Sequence, residues 1–107
     1  MPAEVRVIKP ADRVLDQASG GMRREAAISK ALTGAERIWL GYVELGPGDI
    51  SAAHHHGEAE SAIYIISGSA RLVSATGTLD ADPGDIVWVP PHVVHLEANR
   101  SASEPVR

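Results

Sequence analysis

From about Glu36 onward the chain alternates short apolar runs with glycine, proline and aspartate, and the runs are too brief for helices. Residues 37–45, 61–66, 70–74 and 86–89 are the clearest of them, rich in the β-branched and aromatic side chains that suit a pleated, half-buried surface. The pattern predicts an all-β fold. Pro-Gly-Asp occurs twice, at Pro47 and Pro83, and each copy feeds an apolar strand. Proline presets φ in such a turn, and glycine then accepts the positive φ that other residues resist. Ser67-Gly68 and Thr76-Gly77 mark further turns. Several short strands at this spacing predict a sandwich or barrel.

Residues 1–35 follow another pattern. Glycine-marked breaks flank a short helical or irregular stretch around residues 24–31, so this part reads as an N-terminal arm laid over a β-barrel domain of residues 36–107. Met22, Ile28 and Leu32 are its candidate contacts with the barrel mouth or with a second copy. After Asn99 the sequence runs RSASEPVR where a barrel of this type would place another strand. The expectation is that the chain continues further or that another segment covers that edge.

Size and charge narrow the function. A chain of 107 residues is one domain with a small core, so help from a partner subunit or a metal is expected, and a homodimer is the expected assembly. A net charge of −4 leaves no electrostatic footprint for nucleic acid or anionic lipid, which points to a small-molecule ligand. With no cysteine, any metal must be held by nitrogen and oxygen. The first residues carry charge and proline where a signal peptide would need an apolar stretch, and no segment approaches membrane-spanning length, so a cytoplasmic setting is expected.

The chemistry-bearing residues lie in two segments, 47–68 and 83–99. The first offers His54, His56 and Glu60, and the second offers His95. Imidazoles with one carboxylate are borderline in softness, and such a set suits iron, manganese, nickel, copper, cobalt or zinc better than calcium or magnesium. In an extended segment alternate side chains share a face, so His54 and His56 can both point inward while His55 points away. Glu60 follows the Gly57-Glu58-Ala59 turn and opens a strand with Ala62, Tyr64 and Ile66 on its side. His95 lies on a third strand with Val93, Glu97 and Asn99 in phase, after a turn fixed by Pro90-Pro91. Tyr64, in phase with Glu60, and Glu97, in phase with His95, are the catalytic candidates, Glu97 as a general base or as a partner to the ligands. Trp39, Tyr42 and Trp88 are expected to pack the interior or an interface, because the chain has no phenylalanine. Arg23, Arg24 and Arg71 are expected at the surface, with an arginine of the arm available to a substrate carboxylate.

These two segments resemble the paired motifs of the cupin superfamily, in its small single-domain conserved-barrel form. The first motif is glycine, five residues, His-x-His, three or four residues, glutamate, six residues, glycine. Gly48, His54, His56, Glu60 and Gly68 occupy it with one residue too many before the last glycine. The second is matched by Gly84, Pro90, His95 and Asn99, with His92 where the family usually has glycine. Counting back from Gly68 lands on Ser61 and counting forward from His56 lands on Glu60. Glu60 is the carboxylate chosen, on the view that a one-residue bulge re-aims it. A three-histidine site with a water and ligation through Glu58 are the alternatives.

The resemblance implies a jelly-roll cupin barrel holding a divalent transition metal on His54, His56, Glu60 and His95. It implies a range of chemistries for a small organic molecule bound in the barrel. A dioxygenase-type oxidoreductase is the first expectation, with a metal-dependent isomerase or lyase and a non-enzymatic ligand-binding protein as the others.

Overall fold

The computed structural model describes residues 4–107, so the first three residues of the expected arm lie outside it. A single 3₁₀ turn at Pro10–Asp12 leads into eight strands among the described residues. They are β1 Val14–Ser19, β2 Met22–Ile28, β3 Leu40–Leu45, β4 Ser61–Tyr64, β5 Ala70–Ser74, β6 Gly77–Ala81, β7 Ile86–Val89 and β8 His95–Asn99. One short helix, α1 Lys30–Thr33, is capped at its start by the Ser29 hydroxyl and at its end by Gly34 at φ 75°. The strands form three antiparallel sheets, ordered β1-β2-β3, β4-β7 and β6-β5-β8. The all-β reading holds. The barrel is not closed by one continuous ladder, however, and the isolated bridges Leu45 to Val106, Ile50 to Ala98 and His54 to His95 supplement the three sheets.

The N-terminal segment departs from its expectation. The stretch expected to be helical or irregular is mostly strand β2, which pairs with β1 on one side and with β3 on the other, as Arg24 opposite Asp16 and Arg24 opposite Val43 show. Met22 and Ala26 are its two buried side chains, four residues apart on one face of the strand. Only Lys30–Thr33 is helical. Met22 thus belongs to the core and is no lid contact. Strand β6, unrecognised in the sequence because Gly77–Ala81 has no apolar run, forms through its register with β5, from Ser74 opposite Gly77 to Ala70 opposite Ala81.

The turns behave as their composition requires. Gly48 and Gly84 of the two Pro-Gly-Asp turns adopt φ of 69° and 92°. In the second, Asp82 N–H donates to the Asp85 carboxylate and Asp85 N–H donates back to the Asp82 carbonyl. Residues 105–107 cover the edge that the sequence left open. Leu45 and Val106 exchange two backbone bonds of 3.0 and 2.9 Å, and Ile66 N–H donates to the Arg107 carbonyl at 2.8 Å. At Gly68, with φ 88°, a Cβ would collide with the Pro105 carbonyl oxygen, so that close approach requires glycine.

The core is aliphatic and small. Met22, Leu45, Ile65, Ala70, Leu72, Ala81 and Val106 form it, with Val43, Ile63 and Val87 packed against it. Of the two places expected for the aromatic residues, the interior is not the one they take. Trp39, Tyr64 and Trp88 are exposed, and Tyr42 is half-buried beneath the Arg13 guanidinium, 4.3 Å from its ring. Burial alternates along β4 and β7, so Ser61, Ile63, Val87 and Val89 face inward while Ala62, Tyr64, Ile86 and Trp88 face out.

Asn99, buried at the end of β8, ties several of these pieces together. Its side-chain amide donates to the carbonyls of Leu45, Gly46 and Glu104 at 3.3, 3.0 and 2.7 Å, and its carbonyl accepts from Ser101 N–H at 2.8 Å. Asn99→Ala removes these four bonds from a buried position and leaves the Glu104 carbonyl and the Ser101 N–H without this partner, and a loss of about 1–3 kcal/mol in denaturant unfolding is the expected outcome.

Candidate metal centre

The residues before the His-His-His run form a ladder with β8. Asn99 N–H donates to the Asp49 carbonyl at 3.0 Å, Ser51 N–H to the Glu97 carbonyl at 2.8 Å, and His54 and His95 exchange two backbone bonds of 2.9 Å each. Directly opposed residues of an antiparallel pair hold their side chains close together on the same face. The His54 and His95 rings accordingly lie 4.5 Å apart between centroids, and the His56 ring lies 5.1 and 5.4 Å from them. One nitrogen from each of the three rings falls within a span of 4.8 Å. His95 is buried, His54 half-buried and His56 exposed, so the cluster opens on the His56 side.

Two of the rings have a fixed tautomer. Nδ1 of His54 lies 2.7 Å from the Ala52 carbonyl oxygen and Nδ1 of His95 lies 3.0 Å from the Val93 carbonyl oxygen. A carbonyl only accepts, so each Nδ1 carries the hydrogen and each Nε2 of a neutral ring presents a lone pair. Those lone pairs meet the Glu97 carboxylate, with Oε1 3.1 Å from Nε2 of His95 and Oε2 3.7 Å from Nε2 of His54. Acceptors facing acceptors at this distance repel unless a cation or a proton lies among them. The donor set therefore fits a borderline divalent metal, with the carbonyl contacts orienting the rings as outer partners do in metal sites. Partial desolvation of its ring holds the His56 imidazole below its ordinary value of 6.5, competition with His54 and His95 for a proton adds to this, and Glu97 opposes it. At neutral pH that ring is unprotonated and able to donate its nitrogen.

The other sequence candidates fall elsewhere. His55 turns into the loop, where its Nδ1 accepts from Gly57 N–H at 3.0 Å. Glu60 is exposed, and its carboxylate accepts from the Trp88 indole N–H at 2.9 Å. It lies outside the group of three imidazoles found among the described residues. The register of β4 explains this: Ser61, opposite buried Val89, takes the inward position, and Glu60 falls in phase with the outward Ala62, Tyr64 and Ile66. No bulge re-aims it. Tyr64 is likewise 61% exposed, on the outer face. Glu97 is the catalytic candidate that borders the imidazoles. Sequence reasoning undervalued Ser51, which is buried and hydrogen-bonded to Glu97, because nothing in a lone serine between Ile50 and Ala52 signals a partner forty-six residues away.

His92, where the family's second motif usually has glycine, is the one described non-glycine residue at positive φ, 62°. Its N–H donates to the Gly57 carbonyl at 2.7 Å, so the turn before β8 keeps its shape and holds the loop after His56, while the side chain bears a strain of about 1–2 kcal/mol. Two open surface depressions, of about 410 and 370 Å³, lie against the N-terminal strands at Leu15 and Asp16 and away from the imidazoles, so it is the ring geometry that locates the site.

Comparison with known proteins bears on the family and the fold. The family profile described as a Cupin domain matches residues 41–107, well over half of the chain. The chain belongs to the cupin family. Among solved structures, the polyketide cyclase RemF from Streptomyces resistomycificus superposes with a TM-score of 0.79 at 21% identity, over 96% of this chain and 75% of that one. A Cupin 2 conserved barrel domain protein from Salinispora arenicola gives a TM-score of 0.71 at 25% identity, over 99% of this chain and 84% of that one. A predicted oxalate decarboxylase from Thermotoga maritima gives 0.78 at 16% identity, over 94% and 92%. These likenesses show the cupin fold. No curated protein matches the sequence. No helix of the described residues is long and apolar enough to cross a membrane.

Proposed function

We propose that this cupin is a metal-dependent enzyme acting on a small organic molecule at the open side of the barrel, with His54, His56 and His95 holding a divalent transition ion. The observation that carries the reading is the pair of converging Nε2 lone pairs on His54 and His95, locked in place by the mutual backbone bonds of the two residues and faced by a carboxylate. Such an ion supplies Lewis acidity and, where it is redox-active, electron exchange with dioxygen. His56, unprotonated and exposed, offers its nitrogen from the side where a ligand can approach. Ile63, Val87 and Val89, inward on β4 and β7, form the apolar wall that keeps water from the interior. Arg24 on β2, 4.2 Å over the Trp39 ring and paired with Asp16, is the arginine of the N-terminal segment whose charge reaches His56, and it is the one available to a substrate carboxylate.

A dioxygenase-type oxidoreductase is the first form of this reading. A metal-dependent isomerase or lyase is the second, favoured by neighbours named as a polyketide cyclase and a predicted oxalate decarboxylase. Oxygen uptake in an electrode with the metal-loaded protein and a panel of small carboxylates and phenols separates them. Uptake linked to substrate loss supports the first, substrate loss without uptake the second, and binding without turnover reduces the protein to a ligand-binding cupin.

The ligand assignment has its own test. His54→Ala and His95→Ala are each expected to remove most of the bound metal in elemental analysis, and His55→Ala to leave it nearly intact. Equal loss in all three would refute the assignment.

A homodimer belongs to the same proposal. It is supported by the small core and by the outer face of β4 and β7, where Tyr64, Ile86 and Trp88 lie together and exposed. Light scattering is expected to give twice the chain mass, with Trp88→Lys shifting it toward the single chain, and a monomer mass for the unaltered protein rejects the idea.

A further inference from the structure

The motif on β4 does not deliver a carboxylate to the imidazoles, and strand β8 does. We infer that Glu97 is the carboxylate ligand of the metal site and that Ser51 is its positioning residue. This deepens the metal-site reading above and rests on it.

Three features of the chain support the assignment. Glu97 touches both fixed rings, with Oε1 at 3.1 Å from Nε2 of His95 and Oε2 at 3.7 Å from Nε2 of His54, the ring nitrogens turned away from the carbonyls of Ala52 and Val93. Its side chain is only 13% exposed, and a carboxylate desolvated beside two imidazole nitrogens calls for a positive charge among them, which a metal ion supplies. The three groups thus stand side by side as neighbouring ligands of one ion would.

The second feature is how the carboxylate is held. The Ser51 hydroxyl donates to Oε2 of Glu97 at 2.8 Å, and the Ser51 hydroxyl oxygen accepts from the Glu97 backbone N–H at 2.9 Å. The hydroxyl has one hydrogen and a second acceptor at 3.1 Å, the Ala52 carbonyl, and the charged, closer carboxylate takes it. Ser51 N–H also donates to the Glu97 carbonyl, so the pair is fixed through side chain and backbone together. A buried serine bonded in this way leaves the other oxygen, Oε1, directed at the rings.

The third is the exclusion of the rivals. Glu60 faces outward and accepts from the Trp88 indole. Ser61 holds the inward position at the start of β4, and its short hydroxyl is a poor ligand for a borderline metal. Glu58 sits exposed in the turn after His56. The carboxylate has been relocated from the first motif to the second.

Cobalt(II) is the probe, because its visible absorption reports the number and kind of ligands while a competing chelator gives the affinity. Glu97→Gln is expected to weaken cobalt binding by more than the roughly 10–100-fold typical of an outer partner and to shift the absorption bands. Ser51→Ala is expected to weaken binding within that range and to leave the bands in place, as a positioning residue should. Glu60→Gln, an exposed change that leaves the fold alone, is expected to match the unaltered protein in both readouts. Retention of affinity and bands in Glu97→Gln overturns the assignment, and so does a loss in Glu60→Gln equal to that in Glu97→Gln. Unaltered protein that takes up no cobalt, or a His54→Ala variant that binds it as well as the parent does, removes the metal site itself and is distinguished by that from a wrong carboxylate.

Discussion

The structure depends on one backbone contact, the pair of mutual hydrogen bonds between His54 and His95. It joins a loop-like segment to β8 and sets the two rings side by side without requiring either to reach. The same ladder runs on through Ser51 with Glu97 and through Asp49 with Asn99. One strand therefore carries the imidazole, the carboxylate and the asparagine that anchors the C-terminal residues. A disturbance at either end is felt along the whole of it, because each residue is fixed by the register of its neighbours.

The site is electrostatically unfinished by its own side chains. Two lone-pair nitrogens and a carboxylate converge where each would prefer a donor, and the carbonyls of Ala52 and Val93 prevent the rings from turning to supply one. A cation would resolve that conflict, and its binding energy would add to a fold whose core is a few aliphatic side chains. The aromatic residues are mostly left outside, at surfaces where they meet arginines or solvent.

Glu60 shows where counting along a chain and strand register part. Spacing after His56 selects Glu60, but the face of a β-strand is set by its pairing, and a shift of one residue exchanges inside for outside. Ser61 opposite Val89 fixes that pairing and sends Glu60 to the indole of Trp88. The N-terminal stretch failed for a related reason. MRREAAI has too few strand formers to declare itself, and it becomes a strand because β1 and β3 offer ladders on both sides.

Local chemistry was enough to determine much of this protein. The Pro-Gly-Asp turns, the apolar strands between them and the phase of His54 with His56 against His55 depend only on residue type and period, and the structure agrees with each. Tertiary pairing alone decided the rest: that residues 22–28 extend a sheet, that residues 105–107 seal its edge, and that Ser51 and Glu97 meet across forty-six positions. Such contacts follow from register between distant segments, and register is a property of two strands together that neither strand's sequence contains.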